Sequence, residues 1–141
     1  MLQELKPEEA YLSFCLAVAS QDNELNEKER LPIIKGMKDA GLLSSEYDLK
    51  RIFHSTIEKI SPIFKDGEAF NFDEENLKVF ASRIKSALNE EGVNNLFLTA
   101  IDVALADGIF EFETEMVFLD KMHSLLGIKR DLKKIIEERS T

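Results

Sequence analysis

Apolar residues recur along the chain at helical spacing, and no period-two alternation is long enough for a strand. Pro7 followed by Glu8 and Glu9 marks a helix start, with a proline at the first position and acids at the positive dipole end. Tyr11, Leu12, Cys15, Leu16, Val18 and Ala19 then form a broad apolar face. Positions 21–26 break it, and Asn26 with Glu29 three residues on reads as a capping box for a second helix. That helix turns Leu31, Ile34 and Met37 inward and ends near Gly41, with Pro32 predicting a late start near Leu31 or a kink. A third helix from Ser44 or Ser45 carries a buried stripe of Leu49, Ile52, Phe53, Ile57 and Ile60, and Ser61-Pro62 closes or bends it.

After a loop at 64–72, Asn71 or Asp73 caps a fourth helix with Leu77, Phe80, Ala81, Ile84 and Leu88 inside and Gly92 at its end. From Leu96 to Ala106 the next helix is apolar almost all round, which predicts a central helix wrapped by the others. Its polar positions Asn95, Thr99 and Asp102 share one narrow stripe, where Asp102 is expected to be partly solvated. A sixth helix, from about 111 to 126, buries Met116, Leu119, Met122 and Leu126 ahead of Gly127, and a seventh follows from about 129 to 138. The expectation is one all-α domain over 1–141, a bundle of about seven helices around the helix 95–106.

With 141 residues and 44% hydrophobic residues the chain can bury a core without staples. The charge balance is 27 acids against 18 bases, a formal −9. That field argues against the basic stripe of a nucleic-acid binder and repels an anionic leaflet, while attracting cations and basic proteins. The first nine residues have neither a basic nor an apolar leader region, and no run of about 18 apolar residues could insert in a membrane. A lone cysteine, Cys15, forms no internal disulfide and reads as a small buried hydrophobe, in keeping with a cytoplasmic protein.

The acids are organised. The segment 16–31 and the segment 101–116, 85 positions apart, share a pattern: an apolar helix, an aspartate (Asp22 or Asp107), an apolar residue three positions on (Leu25 or Phe110), then acids and a second helix. The inward residues of the second helices also match, Leu31 with Met116, Ile34 with Leu119 and Met37 with Met122, and Gly41 and Gly127 follow. Two pseudo-repeated helix–acidic turn–helix units result, at about 7–42 and 94–128. Ala106-Asp107-Gly108, Phe110, the acids Glu111, Glu113 and Glu115, and a helix closing on Leu126-Gly127-Ile128 resemble the TerB-like (tellurite resistance protein B) family. The first unit departs from that pattern, reading Gln21-Asp22-Asn23 with its later acid at Glu29. The resemblance covers most of the chain. It implies an all-α fold of about seven helices with two acidic turns, an association with stress and tellurite resistance, and metal binding at those turns, with no defined enzymatic activity.

The chemistry of the turns is compatible with a hard cation. Ca²⁺ takes six to eight oxygens and Mg²⁺ an octahedron partly filled by water. Asp22, Glu24 and Glu29, and Asp107, Glu111 and Glu115, are the candidate ligands, each turn alone or both sharing one ion. Neither is an EF-hand: counting from Asp107, positions three, six and twelve are Ile109, Phe112 and Phe118, and counting from Asp22, positions six and twelve are Glu27 and Ile33. Acids at helix starts also serve as caps and dipole partners without any ligand. The same surface suits a protein partner with a basic face, with Phe110 or Phe112 as an anchor. Catalysis finds little support, since His54 and His123 are isolated helix residues expected at the surface or its boundary, and no Cys-x-x-Cys, His-x-x-x-His or phosphate loop occurs. A non-catalytic stress-response module is the preferred reading. The alternatives are a small metal-dependent enzyme and a metal-free interaction domain.

Overall fold

A computed structural model describes residues 4–19, 27–43, 46–60, 74–106 and 117–139, apart from some side chains next to the gaps between these segments. Every regular element among them is a helix: α1 (Pro7–Ala19), α2 (Glu27–Asp39), α3 (Glu46–Ile60), α4 (Glu74–Ala87), α5 (Glu90–Ala106), α6 (Val117–Leu126) and α7 (Leu132–Arg139). As the apolar pattern predicts, α5 is central, packing against α1, α2, α4 and α7. Helix α1 lies across it and also meets α2, α3 and α4, while α6 rests on α4. One core cluster draws on all seven helices, from Leu12 and Phe14 on α1 to Ile135 on α7. Phe14 stands at its middle, with ring centroids 6.4 Å from Phe80 of α4 and 6.1 Å from Phe97 of α5. Its burial and that of its neighbours supply the non-directional attraction that holds helices of 8 to 17 residues together.

Several boundaries differ from the sequence expectation, each for a local reason. Helix α2 does not start late but runs from Glu27 through Pro32, which sits in its second turn and cannot offer the Lys28 carbonyl the usual i+4 N–H. The buried stripe of α2 is Ile33, Ile34 and Met37. At about 100° per residue Leu31 falls roughly 120° from the centre of that stripe, so it is 63% exposed rather than inward. Gly92 does not end α4. That helix stops at Ala87, and Asn89 caps α5 by accepting the Gly92 N–H at 2.8 Å on its Oδ1. The central helix therefore begins at Glu90, five residues before Asn95. Helix α7 starts at Leu132 because Asp131 is its cap, taking the Lys133 N–H at 3.0 Å. On α3, Leu49 and Ile52 are buried, but Phe53 and Ile57 are only half-buried.

Glycine ends α2 and α6 in the same way. Gly41 (φ 75°) and Gly127 (φ 72°) take the left-handed conformation, and the next N–H reaches back five residues, Leu42 to Met37 O at 2.8 Å and Ile128 to His123 O at 3.1 Å. The expected loop at 64–72, the Ser61-Pro62 closure, the caps at Asn26, Asn71 and Asp73, Ile60, Met116 and the stretch 111–116 of the sixth helix lie outside what is described.

Candidate functional site

The two acidic segments join α1 to α2 and α5 to α6. Asp22, Glu24, Asp107, Glu111 and Glu115 lie outside the described residues, as do Phe110 and Phe112, and Glu29 belongs to the first turn of α2 with its side chain not described. Among the described residues no three His, Cys, Asp or Glu side chains gather where they could hold a metal. What the structure does describe is the frame that carries these segments, and polar contacts pin that frame at three places.

The first is the crossing of α1, α2 and α5. Tyr11 Oη and Thr99 Oγ1 share a buried hydrogen bond of 2.5 Å, and Tyr11 Oη also donates to the Asn95 carbonyl at 3.3 Å. Gly36 of α2 is pressed onto this pair. A Cβ there would run into Thr99 Oγ1 and stand 2.7 Å from Tyr11 Oη and 2.9 Å from Thr99 Cγ2. Only a glycine lets α2 approach so closely, and that approach sets the course of the helix that follows the first acidic segment. Burial pushes the Tyr11 phenol well above its usual range, more than the Thr99 hydrogen bond lowers it, so the hydroxyl stays protonated.

Glu9 makes the second. Pro7 opens α1, so Glu9 is its third residue, and its Oε1 accepts the Lys6 N–H at 2.9 Å, half of a capping box. The same carboxylate takes the Lys59 ammonium of α3 at 2.6 Å and the Ser55 hydroxyl. Glu9 is 2% exposed and Lys59 23%. Burial by itself would raise the Glu9 pKa, but the donors from Lys59, Ser55 and the Lys6 backbone outweigh it and hold it below the ordinary 4.5.

Third comes Asp102, the acid on the polar stripe of the central helix. Arg139 of α7 forks onto it, Nε donating to Oδ1 at 2.6 Å and Nη2 to Oδ2 at 2.5 Å. Both side chains are about one-third exposed, which matches the expected partial solvation and adds a partner that sequence reasoning missed. The hydrogen bond to Asp102 raises the Arg139 pKa further.

Nucleophiles fare poorly in this frame. Cys15 is fully buried on α1, and burial pushes its thiol far up, away from the thiolate. His54 is exposed. His123 is half-buried, its Nε2 2.6 Å from the Arg130 carbonyl and its ring edge-on to Phe97 at 5.8 Å, a structural placement at the α6–α7 link. Thr56 Oγ1 and Arg83 Nε are buried with no partner among the described residues. No described helix is long and apolar enough to cross a membrane.

No curated protein and no solved structure matches the chain. The family model described as "Tellurite resistance protein TerB" matches residues 8–135, nearly the whole chain and both acidic segments. With an all-helical fold built around a central helix and a match of that extent, the chain belongs to the TerB family.

Proposed function

We propose that this chain is a non-catalytic TerB-type module that holds a divalent cation on its acidic segments, in a stress-response role of the tellurite-resistance kind. The observation that carries this reading is the family match, which runs through α1, α2, α5 and α6 and both segments between them. The chemistry supports it. Asp22, Glu24 and Glu29, and Asp107, Glu111 and Glu115, offer six carboxylates of the kind Ca²⁺ and Mg²⁺ select, in a chain whose charge of −9 concentrates cations around it. In this reading the chain is one domain with two units, 7–42 and 94–128, and the buried thiol of Cys15 fits a cytoplasmic setting. This reading is non-catalytic, and the Tyr11 hydroxyl and the Cys15 thiol, held protonated inside the core, supply no nucleophile against it.

Calorimetric titration with Ca²⁺, Mg²⁺, Mn²⁺ and Zn²⁺ tests the proposal. Binding of at least one ion is expected, with a rise in Tm. At a hundredfold excess over Kd the folded state gains about 2.7 kcal/mol. Asp107→Asn should weaken that binding about tenfold or more, and an affinity left intact would move the site elsewhere. Salt-sensitive binding of a basic protein, with no heat from any metal, would replace the cation with a protein partner.

A further inference from the structure

Helix α7 is joined to the rest of the fold unlike the other six. Eight residues give it two turns, too few to stand as a helix alone, so it is ordered by docking. Its main packing is on α5, through buried Leu132 and Ile135 and half-buried Ile136. The link before it is firmly rooted: Ile128 is buried, and the Arg130 carbonyl is held by His123 Nε2 at 2.6 Å. Beyond that root Asp131 caps α7 from within, through its contacts with Lys133 N and Ile135 N, and would travel with it. At the far end, in the last residue of the helix, sits the Arg139–Asp102 fork. Arg139 lies past residue 135, where the family match stops, while Asp102 lies within it.

We propose that α7 is a releasable strap, which leaves α5 as one unit by pivoting at Arg130 and Asp131, with the Arg139–Asp102 fork as its latch. Release uncovers the surface of α5 beneath Leu132 and Ile135 and frees the Asp102 carboxylate, while α1 to α6 keep their packing. The latch is built to open. Its two groups are about one-third exposed, so mobile ions reach and screen them more than the Glu9–Lys59 pair, whose carboxylate is 2% exposed. Undocking α7 forfeits few apolar contacts, the Arg139–Asp102 pair and, across the pivot, the well-exposed Arg130–Glu138 pair, which is worth little in water; this places α7 at the low end of the stability range within the fold.

Hydrogen exchange read by mass spectrometry on the full chain tests this. In the native protein the 132–139 amides are expected to exchange faster than those at 96–103 on α5, and faster still on going from about 0.05 M to about 0.5 M salt. Arg139→Gln should speed exchange at 132–139 about fivefold, leave α1 and α5 unchanged and remove the salt response; Asp102→Asn should do the same, and Arg139→Lys should restore part of the protection. Exchange of α7 in step with α5 would mean that it opens only with the whole fold and would overturn the proposal. So would an Arg139→Gln protein with the exchange rates and salt response of the native chain.

Discussion

The helix pair α1–α2 and the helix pair α5–α6 share a plan and differ in how they are fastened. Each runs from an apolar helix through an acidic segment to a second helix that ends on a left-handed glycine, Gly41 or Gly127. Their inward positions correspond 85 residues apart: Leu12 with Phe97, Leu16 with Ile101, Val18 with Val103, Ile34 with Leu119 and Met37 with Met122 are all buried. Polar residues break the correspondence. Tyr11 and Gly36 have Leu96 and Lys121 at the matching places, and buried Glu9 has exposed Asn94. Apolar spacing thus gives both pairs their helices, and a few polar or missing side chains decide how close each helix comes to its neighbours. The first pair is fixed by the close seat of Gly36 on Tyr11 and Thr99 and by a buried ion pair to α3, the second by apolar packing and a fork at Asp102 about one-third exposed.

That contrast can be broken most forcefully at Gly36. Gly36→Ala forces α2 away from Tyr11 and Thr99 and should cost about 2–3 kcal/mol in urea unfolding, even after the gain in helix propensity. Lys121→Ala, at the matching place on half-buried α6 surface, should stay within about 0.5 kcal/mol. An equal cost at both positions would mean that the close approach of α2 contributes nothing special.

Glu9 comes next in size. Glu9→Gln leaves the Lys59 ammonium, 23% exposed, without its counter-charge and should cost about 2 kcal/mol at neutral pH, less than the 3–5 of a fully buried pair because water still reaches Lys59. Asn94→Ala should be near neutral. The Glu9 effect has a pH signature. Because folding lowers its pKa, its contribution is complete above the ordinary 4.5 and is lost as pH falls through the lowered value. The native protein should therefore lose stability more steeply than Glu9→Gln in acid unfolding below about pH 4.5. Parallel acid limbs would contradict the assignment.

A smaller effect is expected at the hydroxyl pair. Tyr11→Phe removes one partner of the 2.5 Å bond with Thr99 and should cost about 1 kcal/mol with little change in m-value. Leu96→Met, its apolar counterpart, tests whether that position tolerates a volume-conserving change for less than about 1.5 kcal/mol.

Much of the frame was legible in the sequence because apolar periodicity is a local signal. The faces of α1 and α4, the centrality of α5 and the glycine stops at Gly41 and Gly127 follow from residues within a few turns of one another. Boundaries were harder where two local signals competed. Pro32 argues for a break, yet Ile33, Ile34 and Met37 bury enough to carry α2 through it. Gly92 looks like a stop, but Asn89 followed by Glu90 and Glu91 is a start, and the start prevails. The ties were not legible as pairs. Glu9 reads as a helix-start acid and Thr99 and Asp102 as a polar stripe, while their partners Lys59, Tyr11 and Arg139 lie 50, 88 and 37 residues away. No local rule joins residues so far apart. The six candidate ligands rest on the chemistry of carboxylates and on the family, since the structure describes none of their side chains.

Whether the two acidic segments act alike is the question the comparison leads to, and metal titration of three proteins answers it most directly. The native chain, Asp22→Asn and Asp107→Asn are titrated with Ca²⁺ and Mg²⁺ by calorimetry, with Tm followed in parallel. Binding to the native chain, weakened about tenfold or more by Asp107→Asn, is the predicted result. A matching loss in Asp22→Asn would assign one ion to both segments, and an unchanged affinity there would confine it to the second. No heat and no Tm shift for the native chain at millimolar metal would contradict cation binding by this protein.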